Sequence, residues 1–176
     1  MLKIKNINSQ RFFPIRNFLN LNLISREVLL AGGSLISLID ESYPIQDYDL
    51  FFLNPLLRDS TEQKIINLGG KKHSSKLDGG IRRFILNNIQ IDFSMILGRN
   101  YFSPKDLLDS LDINASRIAF DGEHLYFYRE TIRDIRDRRV TLNYVANPKI
   151  TMKRIVKYSE RGFDVGVAAR EVVRGI

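Results

Sequence analysis

The stretch AGGSLISLIDESYPIQDYDLFFL, residues 31–53, decides how the rest of the chain is read. The apolar run Val28-Leu29-Leu30-Ala31 leads into it as a buried strand and stops at Gly32-Gly33-Ser34. Residues 35–39 follow as a short helical segment, then a turn carrying Pro44. A second strand begins at Tyr48, with Asp47 and Asp49 at its mouth. Carboxylates two residues apart on a strand point to one face, roughly 6–7 Å apart, which suits joint binding of a divalent metal. A Gly-Gly-Ser turn that opens a helix presents backbone N–H groups to an anionic phosphate. Taken singly, a Gly-Gly pair is an ordinary turn and Asp-x-Asp an ordinary strand mouth. In this order they make a phosphoryl-transfer layout, and G-x-x-x-x-G-K-[ST] occurs nowhere in the chain.

Composition narrows the setting. A length of 176 residues with 44% hydrophobic and 27% charged residues predicts one globular domain. The absence of cysteine excludes disulfides, thiolate zinc sites and cysteine nucleophiles. The opening MLKIKNINSQ lacks the apolar core of a signal peptide, and the apolar run 28–39 is too short and too Gly/Ser-broken to span a bilayer. The expectation is a soluble, cytoplasmic protein with no membrane contact. The net charge is +7, and residues 129–176 hold 12 Lys/Arg against 6 Asp/Glu, so nearly all of the excess is in the last quarter. That basic region predicts a polyanionic partner, nucleic acid first, although a solvated helical face would carry the same charge.

Outward from the opening stretch, residues 10–21 read as an aromatic-rich helix with Pro14 in its first turn, and 61–68 as a helix capped by Ser60 or Thr61. Phe12, Phe13 and Phe18 fit core packing better than a base-stacking platform. Residues 81–86 and 89–96 around Asn87-Asn88 predict a hairpin with a two-residue turn, and Asp92 falls on the polar face of its second strand. Ser103-Pro104 opens a helix over 105–110. Residues 113–120 and 123–128 flank Asp121-Gly122 as a second hairpin. Charged or amphipathic helices are expected over 129–139, 150–161 and 165–173. His73 and His124 have no metal-ligand spacing partner and read as surface or packing residues.

These pieces together resemble the polymerase beta-like nucleotidyltransferase superfamily. Its pattern is Gly-Gly-[Ser/Thr], then Asp-x-[Asp/Glu], then a third Asp on a neighbouring strand. Ala31-Gly32-Gly33-Ser34-Leu35, Asp47-Tyr48-Asp49-Leu50, Asp112-Ile113-Asn114-Ala115 and Asn147-Pro148 with Met152-Lys153-Arg154 narrow it to the head of class II tRNA nucleotidyltransferases and bacterial poly(A) polymerases. The resemblance implies an α+β nucleotidyltransferase fold, a mixed sheet of about five strands backed by helices. Residues 1–147 would form the head and 148–176 a short basic neck-like segment. It implies that Asp47, Asp49 and Asp92 bind Mg²⁺ or Mn²⁺ and carry catalysis. Gly32, Gly33 and Ser34 would hold a nucleoside triphosphate, with Asn114, Arg117 and Arg154 beside its sugar or phosphates. The reaction implied is NMP transfer to a hydroxyl, an RNA 3′ end above all, with RNA held through residues 129–176. The chain also departs from the pattern. No arginine follows Gly33, and Leu108-Asp109-Ser110-Leu111-Asp112 stands where two arginines are usual. A protein or small-molecule acceptor, or a decayed head that only binds nucleic acid, are the alternatives.

Overall fold

The computed structural model describes residues 1–5, 12, 15–73, 82–94, 101–145 and 147–175. Among them, eight strands form one mixed sheet in the order β1-β8-β7-β2-β3-β6-β5-β4. The strands are β1 (Leu2–Lys5), β2 (Val28–Ala31), β3 (Tyr48–Phe52), β4 (Lys71–His73), β5 (Arg82–Leu86), β6 (Ile89–Phe93), β7 (Ile118–Phe120) and β8 (His124–Phe127). The helices are α1 (Arg16–Leu19), α2 (Leu57–Asn67), α3 (Pro104–Asp109), α4 (Arg129–Arg136), α5 (Pro148–Glu160) and α6 (Gly166–Arg174). Only β3 and β6 pair in parallel; every other neighbour is antiparallel.

The sheet therefore exceeds the five strands expected, and the reason lies at its edges. β1 reads LKIK and β4 reads KKH, and the side chains described on both are exposed. Edge strands are held by backbone pairing on one side and carry lysines that discourage further pairing, so no buried alternation marks them. Two helices and one strand also differ from expectation. Only Arg16–Leu19 of the first expected helix is α-helical, and residues 10, 11, 13 and 14 lie outside the described residues. α2 begins four residues early, and Ser60 donates back to the Leu57 carbonyl instead of capping. Residues 114–116 form a 3-10 turn, so the strand expected over 113–120 shrinks to β7.

The β5–β6 hairpin follows the sequence closely. Asn87 and Asn88 take φ of 50° and 64°, the left-handed pair that a two-residue turn requires. Ser103 caps α3 by accepting the Asp106 N–H, and Asn147 caps α5 by accepting that of Ile150. The two faces of the sheet are covered differently. One carries Leu30, Leu50, Phe52, Ile91 and Phe93 against Ile15, Phe18 and Ile65. The other carries Leu29, Ala31, Phe51 and Ala119 against Leu107 and Leu108 of α3. Beyond it, Ile135, Ile155, Tyr158, Ala168 and Val172 of α4, α5 and α6 form a third apolar cluster with Ile36 and Tyr43. α5 is thereby fixed beside the glycine turn. Among the described residues no helix is long and apolar enough to cross a membrane.

Candidate nucleotide and metal site

Register brings the polar residues into line. Ala31 pairs with Asp49, Asp49 with Asp92, and Asp92 with Arg83, so β2, β3, β6 and β5 each contribute to one row on the α3-covered face. Directly paired residues share a face. The row therefore puts two carboxylates and a guanidinium side by side. Asp47 lies two residues before Asp49 and lines the same cleft of about 300 Å³.

The glycine turn forms the wall next to this row. Gly32 adopts φ 82° and ψ −141°, a backbone state closed to ordinary side chains, and a Cβ there would stand 3.8 Å from Asp49 Oδ2. Its carbonyl accepts the Leu35 N–H and closes the 3-10 turn Gly33–Leu38. Gly33 faces the Tyr43 hydroxyl and the Arg161 guanidinium. Ser34 is buried away from the cleft lining, and its hydroxyl makes no hydrogen bond among the described residues.

Across the cleft stands α5. Arg154, Lys157 and Arg161 recur at three- and four-residue steps and all line it. Arg154 Nη1 donates to Asp112 Oδ1 at 2.7 Å, while Thr151 donates to the other oxygen of that buried carboxylate at 2.7 Å. Arg161 binds the Tyr43 hydroxyl and Gln46, and its guanidinium lies 4.8 Å from the centre of the Tyr43 ring. Burial, then the negative charge of Asp47, push the Asp49 carboxyl up to about 7; the Ser94 hydroxyl, 2.5 Å from Oδ1, and Arg154 pull the other way.

The expected site residues separate into two groups. Gly32, Gly33, Asp47, Asp49, Asp92 and Arg154 come together in the cleft. Asn114 and Arg117 do not line it. The Asn114 amide donates to Thr141 Oγ1 at 2.9 Å, and its oxygen accepts Arg117 Nη1 at 3.0 Å. Arg117 further donates to the Leu108 carbonyl and to Asp109, and stacks 3.9 Å from the centre of the Tyr128 ring. Both are spent on joining the 3-10 turn to α3 and its surroundings. Asp92 is in place but engaged: Oδ1 accepts Arg83 Nε at 2.8 Å, and Oδ2 accepts Arg83 Nη2 at 2.7 Å and Gln90 at 3.2 Å. No group of three or more His, Cys, Asp or Glu able to hold a metal stands among the described residues.

Arg83, Ser94, Lys157 and Arg161 also line the cleft and were not among the expected site residues. In sequence, Lys157 and Arg161 fall with Arg154 on the polar face of the amphipathic helix expected over 150–161, and Ser94 falls with Asp92 on the polar face of its strand. The basic excess of residues 129–176 divides likewise. Arg138 pairs with Asp40, and Arg139 and Arg133 with Asp134, while Arg129, Arg133 and Arg136 line an exposed groove together with Asp137, Leu2, Phe127 and Ile132.

No protein-family model and no curated protein sequence matches the chain. Its architecture is nevertheless shared, along almost all of its length, with solved structures of CCA-adding and tRNA-processing enzymes. The Thermotoga maritima CCA-adding enzyme complexed with tRNA superposes on 99% of this chain with a TM-score of 0.69, at 14% identity, and 45% of that chain is covered. A CCA-adding enzyme with ATP gives 0.71 at 15% identity, covering 99% of this chain and 46% of that one. A tRNA-processing enzyme gives 0.63 at 15% identity, covering 99% and 48%. The chain thus spans less than half the length of each. At such identities the likeness is one of fold.

Proposed function

We propose that this protein moves a nucleoside monophosphate from a nucleoside triphosphate to a hydroxyl, the acceptor being the 3′ end of a tRNA-like RNA. One observation carries the reading: Asp47 and Asp49 share a cleft with the Gly32-Gly33 turn beneath the cationic face of α5. Mg²⁺ or Mn²⁺ would be held by Asp47 and Asp49. The donor set fits such an ion, because the Asp47 and Asp49 carboxylates lie close together in one cleft, Asp49 buried and beside a like charge, and Gly32 leaves the space beside Oδ2 open. When bound, the ion would neutralise phosphate charge and favour in-line attack at phosphorus. The chain's own residues do the positioning. Ser94 holds Asp49 Oδ1, Asp112 steadies Arg154, and Tyr43 steadies Arg161. Arg154, Lys157 and Arg161 then meet the phosphates with geometry set in advance. The exposed Arg129, Arg133 and Arg136 suit an RNA backbone outside the cleft. Likeness to CCA-adding enzymes over the whole chain supports the acceptor class.

The test incubates the protein with each labelled nucleoside triphosphate, Mg²⁺ or Mn²⁺, and tRNA or total RNA. Label in RNA that disappears in Asp47→Ala is the expected result. Label in protein or small molecules would change the acceptor, and no label under any condition would overturn the reading. A second reading, an RNA-binding module without transfer, is favoured by the engagement of both Asp92 oxygens. Its mark is RNA retention that falls steeply with salt, with no incorporation.

A further inference from the structure

Arg83 is half spent. Its Nε and Nη2 grip Asp92, while Nη1 makes no hydrogen bond among the described residues. Its side chain is 27% exposed and lines the cleft, against 5% for that of Asp92. A guanidinium offers five N–H donors in a rigid fork, so fixing one edge aims the other. Asp92 has the opposite character: both oxygens are occupied, it is nearly sealed from solvent, and it joins no three-carboxylate cluster able to hold a metal among the described residues. The row Asp49, Asp92, Arg83 therefore runs from a carboxylate at the glycine turn to a cation with a free nitrogen at the cleft. Between them Asp92 serves as the holder.

We infer that Arg83 binds the triphosphate from the sheet side of the cleft, opposite the α5 cations, and that Asp92 is its positioning residue and not a third metal ligand. The inference rests on the nucleotidyl-transfer reading. It also adds a guanidinium from β5 to those of Arg154 and Arg161, where residues 34–39 directly after the glycines hold none. Phosphate oxygens would meet Nη1 while Nε and Nη2 remain on Asp92, so no exchange of partners is needed.

Equilibrium binding to the full chain tests this, with a non-hydrolysable α,β-methylene ATP analogue, AMP, and Mn²⁺ alone as probes. Arg83→Gln should weaken the analogue about ten- to a hundredfold, the weight of a charge-assisted hydrogen bond, and leave AMP within about twofold. Arg83→Lys should recover part of the loss. Asp92→Asn should leave Mn²⁺ affinity unchanged without nucleotide, and should add nothing to Arg83→Gln once Arg83 is gone. If Arg83→Gln fails to fold because it strands a buried carboxylate, comparing Asp92→Asn with the double variant removes the guanidinium without that penalty. Unchanged analogue affinity on losing the guanidinium would overturn the inference, as would weaker Mn²⁺ binding in Asp92→Asn. Wild-type protein that binds no analogue would instead overturn the nucleotidyl-transfer reading itself.

Discussion

Two arginines, one buried and one partly exposed, make opposite use of the same chemistry. Arg117, beside the 3-10 turn Asn114–Ser116, donates from all three nitrogens and stacks on Tyr128. Arg83, on β5, donates from two and turns the third toward a cleft. Both regions hold polar residues that sequence patterns can single out. The lesson is that a polar residue becomes a site when packing leaves some of its hydrogen-bonding capacity unspent at a concavity. Where every donor is satisfied internally, it belongs to the fold.

The comparison can be broken first at the carboxylates. Asp49→Asn should reduce nucleotide incorporation by at least ~10³-fold, about 4 kcal/mol of transition-state stabilisation. It should also change how stability responds to pH. The folded chain holds a proton on Asp49 up to about 7, whereas the ordinary value is 3.8. The native state therefore binds more protons across that window, and metal-free stability falls as pH rises from about 4 to about 7. Denaturant unfolding of Asp49→Asn should lose that slope; a slope that persists would assign it elsewhere.

Arg117→Met comes next. It should cost about 2–4 kcal/mol in urea unfolding, since it strands Asn114 and the Leu108 carbonyl, yet leave nucleotide affinity per folded molecule unchanged. A selective loss of affinity would return Arg117 to the site. Gly32→Ala should cost about 1–3 kcal/mol because its φ is closed to alanine, and should weaken metal and nucleotide binding together. Smallest, Asn88→Gly should stabilise the β5–β6 turn by roughly 0.5 kcal/mol in the same assay, with incorporation unaltered.

Much of the fold and the heart of the candidate site were legible because their signals are local. Gly32-Gly33, Asp47-Tyr48-Asp49 and the Asn87-Asn88 turn each carry their geometry within a few residues. The pairing of Arg83 with Asp92 was also within reach: a two-residue turn sets Leu86 opposite Ile89, and three steps outward on each strand arrive at those two residues. β1 was not legible, and residues 71–80 around β4 read equally as a loop or a frayed strand, because strands exposed at sheet edges lack the buried alternation that reading depends on. The fate of Asn114 and Arg117 was hidden for a different reason. Leu108 and Asp109 at the end of α3, and Thr141 beyond α4, reach them from afar in sequence, and only the packed chain shows that each nitrogen of Arg117 is engaged.

One pair of contacts bears on how the centre is assembled in time. The loop leading to Asp47 is clasped by Arg138, through Asp40 and Ser42, and by Arg161, through Tyr43 and Gln46. Each clasp joins partners about a hundred residues apart or more. A chain emerging from the ribosome can pair β2 with β3 long before either arginine has been synthesised. The two carboxylates are thus encoded early and anchored late. A chain stopped between Arg138 and Arg161 would hold the loop through Asp40 and Ser42 alone, so the second clasp, on Tyr43 and Gln46 next to Asp47, waits for the end of α5.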